Sequence, residues 1–206
     1  APLFRLEKGF KRKPYPISWG EQKLLLSELN PVLARMALFL IHTGLRDQEL
    51  CSLRWNWQED GDLFVLPEQY SKNGEERLVV LNSVALSVLE QQKGKDVFRV
   101  FPRTRVYSRG WKAARERAAK RYEEELGLEC PWGFRNLRVH DLRHTFGKRL
   151  RAAGCSHEDR KDLLGHKNGD ITTHYSNAER GRLREAVALI TREVSYNSPT
   201  LKVVEK

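Results

Sequence analysis

The stretch "HDLRHTFGKRL", residues 140 to 150, sets His140 and His144 one helical turn apart, with Asp141 after the first and Gly147 three beyond the second. Two imidazoles at that spacing on one helix face are the core of the H-E-x-x-H zinc site, whose longer form adds a glycine and a third histidine. Asp141 stands where the glutamate is required, and Leu150 where the third histidine would be. Arg143 lies between the two rings, and a fixed cation raises the energy of a dication held there. The stretch is therefore expected to form half of an anion cradle, with His144 in support.

Other segments carry comparable side chains. "TGLRDQEL" holds Arg46 and Glu49, "YSKNGEERLVVL" holds Lys72, and "LLGHKNGDITTHYS" holds His166 and, nine residues on, Tyr175. In order, these motifs resemble the tyrosine recombinases, the phage integrase family, over about residues 17 to 192. The resemblance implies the catalytic-domain fold of that family and the catalytic set Arg46, Lys72, His140, Arg143, His166 and Tyr175. It implies site-specific DNA breakage and rejoining through a covalent 3′-phosphotyrosyl intermediate, for integration or excision of a phage or mobile element. No metal or other cofactor is expected.

The chemistry asks for these residue types. A pentavalent phosphorane builds charge on its non-bridging oxygens, which planar guanidinium groups hold two at a time; Arg46 and Arg143 suit this. A phenol forms a phosphate ester that keeps its energy for a second transfer, which suits Tyr175 as nucleophile. A 5′-oxygen leaves poorly without a proton, and Lys72 is the expected general acid. His140 is expected to assist proton transfer or hold a phosphate oxygen, His166 to donate to the phosphorane, and Glu49 to orient Arg46 or His140.

Each residue alone has a plainer reading: Arg46 as an ion-pair arginine, Lys72 as a solvated turn lysine, His166 as a helix-end hydrogen bonder, Tyr175 as an amphipathic core residue. Their joint order argues against that. Three rivals remain: a type IB topoisomerase, in which lysine commonly stands where His140 does; a metal-dependent hydrolase on His140 and His144; and a DNA-binding module whose catalysis has lapsed.

Positioning these side chains requires a mainly helical α+β chain with a small three-stranded antiparallel sheet. Ser18-x-x-Glu21 is a capping box that opens one helix, and Pro31 opens a second that ends at Gly44. Alternating apolar residues with Asp-Gly and Asn-Gly turns predict strands near 53–58, 62–66 and 77–81, with Lys72 in or beside the last turn. Helices are expected over 83–92, within 106–127, over the Leu142, Phe146, Leu150 stripe up to Gly154, over the short "HEDRKDLLG" and over roughly 178–194, with "LECPWGFRN" as a loop.

Lysine plus arginine number 37 against 27 acids, a formal charge of +10 that favours a polyanionic partner. Contact with double-stranded DNA attachment sites is expected through the basic runs "FKRK", "KRYEEELG" and "KRLR", with Arg103, Arg105, Lys112 and Arg115 as candidates for reading bases. Cys51, Cys130 and Cys155 form no C-x-x-C pair and read as buried or incidental thiols. With neither a spanning segment nor a signal-peptide core, the expected location is the bacterial cytoplasm, beside the nucleoid.

Residues 1–16 read as a basic lead-in, 17–194 as the catalytic domain, and 195–206 as a tail that could pass between protomers. The resemblance further implies a smaller amino-terminal domain, so a catalytic fragment is expected. It also implies a homotetramer on DNA, a monomer in isolation and a possible accessory directionality factor.

Overall fold

The computed structural model describes residues 12–166 and 176–191. Helix α1, Trp19–Glu28, begins on the anticipated box: Glu21 N donates to Ser18 Oγ at 3.2 Å and Ser18 N to the Glu21 carboxylate at 2.7 Å. Helix α2, Pro31–Thr43, is capped by Asn30 and ends at Gly44, whose φ of 63° puts it in the left-handed region. The chain re-enters helix almost at once as α3, Asp47–Ser52, a turn not distinguished in the sequence.

A three-stranded antiparallel meander follows: β1 Gln58–Glu59, β2 Leu63–Leu66 and β3 Arg77–Val80, with Leu63 opposite Val80 and Leu66 opposite Arg77. The expected first strand is mostly absent. Backbone groups of 53–55 bond instead to a distant segment, Trp55 N to Phe98 O and Val100 N to Leu53 O, and Trp55–Trp57 close into a 3-10 turn. Only Gln58 and Glu59 remain to pair with β2.

Four helices come next: α4 Ser83–Glu90, α5 Arg109–Leu126, the single turn α6 Trp132–Arg135 inside the expected loop, and α7 Val139–Ala152. Helices α8, His157–Leu164, and α9, Asn177–Leu189, complete the described chain. Pro131 at the start of α6 presets a helical φ, which the loop reading overlooked.

Period-two alternation lets the sheet serve two cores. Phe64, Leu66 and Val79 face the larger core with Phe39, Leu40, Trp111 and Leu142. Leu63, Leu78 and Val80 face a smaller one closed by Phe146 and Leu150 of α7, Leu163 of α8 and Leu183 and Val187 of α9. Helix α7 thus touches both cores along its predicted stripe, which fixes its azimuth. At Gly147 an added Cβ would lie 3.3 Å from Leu164, so α7 and α8 approach closely there.

The lead-in is tied down where it is described. Tyr15 N donates to Asp141 Oδ1 at 3.2 Å, and Ile17 N to Thr145 Oγ1 at 3.1 Å, so residues 15–17 strap onto α7. Among the described residues no helix is long and apolar enough to cross a membrane. Cys51 and Cys130 are buried and Cys155 half-buried; all three are free thiols.

Candidate functional site

The site is built where the C-terminal ends of α2 and α8 meet. Those ends leave carbonyls without helical partners, and cations are favoured beside them. Two buried guanidiniums fill that role. Arg143 donates from Nη1 to Gly44 O at 2.6 Å and from Nη2 to Leu164 O. Arg77 donates from Nη2 to Gly44 O at 3.3 Å and to Leu163 O at 2.8 Å.

Arg46 stands at the entry of α3, and Glu49 grips it twice: Arg46 N donates to Oε2 at 2.8 Å and Arg46 Nη1 to Oε1 at 2.5 Å. Oε2 of Glu49 also accepts from Arg77 Nη1. Burial alone would raise the Glu49 carboxyl, but Arg77 and Arg46 outweigh it and hold the group below the ordinary carboxylate range. Breaking such a buried pair by removing one partner typically costs about 3–5 kcal/mol.

The histidines sit at the rim. His140 is on the first turn of α7, its ring edge-on to His144 with centroids 4.8 Å apart. Partial burial, then His144 and Arg143, push its pKa below the usual histidine value. His166 follows Gly165, the left-handed cap of α8, and is pushed down by burial, then by Arg143, Arg46 and Arg77. Both shifts favour the neutral imidazole, which can donate at one nitrogen and accept at the other. Burial, with Arg77 and Arg46 next, lowers the Arg143 pKa too, yet its guanidinium stays cationic at neutral pH.

Asp141, the acid that suggested a metalloprotease motif, is fully buried and points the other way. It accepts from Arg138 N at 2.9 Å and Tyr15 N, and pairs with Arg12 at 3.6 Å and Arg138 at 3.5 Å. It caps α7 and holds the lead-in. Among the described residues no group of three or more His, Cys, Asp or Glu side chains is arranged to hold a metal ion.

The structure therefore brings together Arg46, Glu49, His140, Arg143 and His166, contributed by three separate parts of the chain. Lys72 is exposed on the connection between β2 and β3; its neighbour Asn73 donates to Gly165 O at 2.8 Å, which ties that connection to the residue before His166. Tyr175 lies outside the described residues. Two residues escaped the sequence reading. Asn73 has no motif signal, whereas Arg77 had one: an arginine opening the apolar run "RLVVL", at a strand position that must face inward.

The candidate base readers divide. Arg103 and Arg105 are exposed and, with Arg99, Pro102 and Val32, line an open groove; Lys112 is exposed, over the Tyr107 ring. Arg115 is half-buried and donates to Leu137 O at 3.2 Å. Among the basic runs, Arg12 donates to Asn136 O and Gly133 O, Arg121 pairs with Glu28 and Glu125, and Arg149 stacks on Trp19. The formal charge thus overstates what faces outward.

The chain matches the family described as "Phage integrase family" over residues 22–182, and it belongs to that family. It is 26% identical over 193 residues to the integrase of Salmonella phage P22, covering 90% of this chain and 49% of that protein. It is 25% identical over 185 residues to the tyrosine recombinase XerA of Pyrococcus horikoshii, covering 86% of this chain and 61% of XerA. Thus the chain spans about half the length of the relatives it matches. Among solved structures it resembles an integrase from mycobacterium phage Brujita, with a TM-score of 0.57 at 18% identity over 91% of this chain and 61% of that one. It also resembles a fragment of the Tn1549 transposon integrase in complex with circular intermediate DNA, with a TM-score of 0.57 at 19% identity over 84% of this chain and 68% of that one. These two likenesses establish the shared fold.

Proposed function

We propose that this chain is the catalytic part of a site-specific DNA recombinase of the integrase type, acting on double-stranded attachment sites. The observation that supports it most is the grouping of Arg143, held on the Gly44 carbonyl, with Arg46, held two residues further on by Glu49, and with His140 and His166 close enough to feel both cations. Such a cluster suits a phosphodiester whose oxygens gain charge in transit. Arg46 and Arg143 hold the non-bridging oxygens, His166 donates to one of them, and His140 takes the phenolic proton. Tyr175 attacks phosphorus, giving a 3′-phosphotyrosyl bond, and Lys72 protonates the departing 5′-oxygen. The reverse sequence rejoins a strand. Arg103, Arg105 and Lys112 contact the DNA, and the whole protein assembles as a tetramer there.

A pool of nicked suicide duplexes with randomised sequence tests this reading. Recovery of protein-bound DNA enriched in one sequence supports a recombinase. Adducts without enrichment, together with relaxation of supercoiled DNA, would show a topoisomerase instead. Binding with no adduct would show a lapsed enzyme, and activity lost to a chelator along with stoichiometric zinc would revive the hydrolase.

A further inference from the structure

We infer that Arg77 is a positioning residue for phosphoryl transfer: its buried guanidinium neutralises Glu49, so that Glu49 can aim Arg46 without cancelling the positive charge that Arg46 and Arg143 present to the phosphate. This rests on the proposed function above.

Three observations carry it. Arg77 is only 2% exposed, and its guanidinium donates to Glu49, Gly44 O and Leu163 O, facing protein groups rather than solvent. It works through the residues it holds. Glu49 reaches Arg46 at both backbone and side chain, which makes it the orienting group, but a lone carboxylate there would offset one of the two cations. With formal charges, Arg46, Arg143 and Glu49 alone sum to +1, and Arg77 restores +2, which matches a doubly charged phosphorane. Finally, the fold makes room for Arg77: a Cβ on Gly165 would lie 2.5 Å from its Cδ, so the residue before His166 packs directly on this side chain.

The arrangement also explains why an arginine suits this position. One planar fork reaches a carboxylate from one nitrogen and two helix-end carbonyls from another; a lysine supplies the charge, but its three donors radiate from a single nitrogen and lack that planar spread. Position and charge are then separable by substitution.

The test compares Arg77→Met, Arg77→Lys, Glu49→Gln and the double variant Glu49→Gln/Arg77→Met. Single-turnover cleavage and affinity are measured on a nicked duplex selected by the wild-type chain, and the His166 titration is followed by NMR without DNA. Arg77→Met should slow cleavage about 100-fold with affinity changed less than about threefold. The double variant should cleave about tenfold faster than Arg77→Met, because the uncompensated carboxylate is gone. Arg77→Lys should fall between wild type and Arg77→Met. The pKa of His166 should rise in Arg77→Met and stay near wild type in Arg77→Lys.

Wild-type cleavage by Arg77→Met, equal losses in rate and affinity with no gain in the double variant, or an unmoved His166 would each overturn the inference. If Arg77→Met does not fold, the double variant is compared with Glu49→Gln instead: the two should cleave alike, because no carboxylate is left to neutralise, and a large further loss in the double variant would overturn the inference. If the wild-type chain forms no adduct at all, the proposed function fails, and the His166 titration still decides the electrostatic role of Arg77.

Discussion

Asn73 donates its side-chain amide to the Gly165 carbonyl at 2.8 Å, joining the connection that carries Lys72 to the residue before His166. A single exposed loop and a helix end, 92 positions apart, are thereby held in register. A hydrogen bond of this kind contributes about 0.5–1.5 kcal/mol net. Asn73→Ala should therefore leave the unfolding midpoint nearly unchanged while slowing single-turnover cleavage about tenfold, through loss of Lys72 placement. An unaltered rate would show that Lys72 is positioned without this bond or does not act.

Glycines at the two helix ends are constrained by space as well as by conformation. At Gly44, φ is 63° and a Cβ would sit 2.3 Å from Phe146; at Gly154, φ is 82° with nothing within 4 Å. Left-handed backbone alone costs an L-residue about 1–2 kcal/mol. Denaturant unfolding should thus show about 1 kcal/mol lost in Gly154→Ala and roughly 3 kcal/mol or more in Gly44→Ala. Equal losses at both positions would contradict the close approach of α2 to α7.

The ring of His42 is buried between α2, α4 and α9, where Asn82 Nδ2 donates to its Nδ1 at 3.1 Å and to Val187 O at 3.2 Å. Burial, with Arg149 a smaller cause, pushes the His42 pKa down to about 3. The unfolded chain takes up this proton near the ordinary histidine value, so it binds more protons than the folded chain as pH falls from about 6.5 toward 3. Stability should decline across that window, with this one group contributing a slope approaching about 1.4 kcal/mol per pH unit. His42→Leu should flatten the upper part of the decline, above the carboxylate range. An unchanged slope there would mean that other groups set it.

Arg103 and Arg105 offer exposed cations to DNA, whereas Arg115 is engaged by Leu137 O. Arg103→Ala and Arg105→Ala should each lower affinity and reduce the steepness of the salt dependence by about 1 if they meet phosphates. A changed sequence preference would identify base reading instead. Arg115→Ala should act on thermal stability and leave the salt dependence alone. A salt effect at Arg115 equal to that at Arg103 would reverse the distinction.

Much of this was legible in the sequence where local chemistry decides. Ser18 with Glu21, Pro31 and Gly44 mark helix ends through short-range bonds and allowed φ, and the Leu142, Phe146, Leu150 stripe gives α7 its buried side. The first strand was misread because Trp55 and Leu53 bond to residues near 99, a partner that alternation cannot reveal. Arg46, His140, Arg143 and His166 were singled out because their motifs are ordered along the chain, and the fold brings the four together. Arg77 and Asn73 were missed because their importance lies in which carbonyls they reach, and those carbonyls belong to α2 and α8, far away in sequence. Asp141 was read only as a departure from the zinc motif; its role as the buried cap of α7 depends on Arg138, Tyr15 and Arg12, which no motif links to it.

The covalent bond itself is the most direct measure of the central claim. The wild-type chain, incubated with a nicked duplex selected from the random pool, should yield a protein–DNA adduct that survives denaturation, and mass spectrometry of the digested adduct should place the nucleotide on the peptide containing Tyr175. Tyr175→Phe should bind the same duplex with similar affinity and give no adduct. An adduct of undiminished yield from Tyr175→Phe, or one mapped to another residue, would contradict the account.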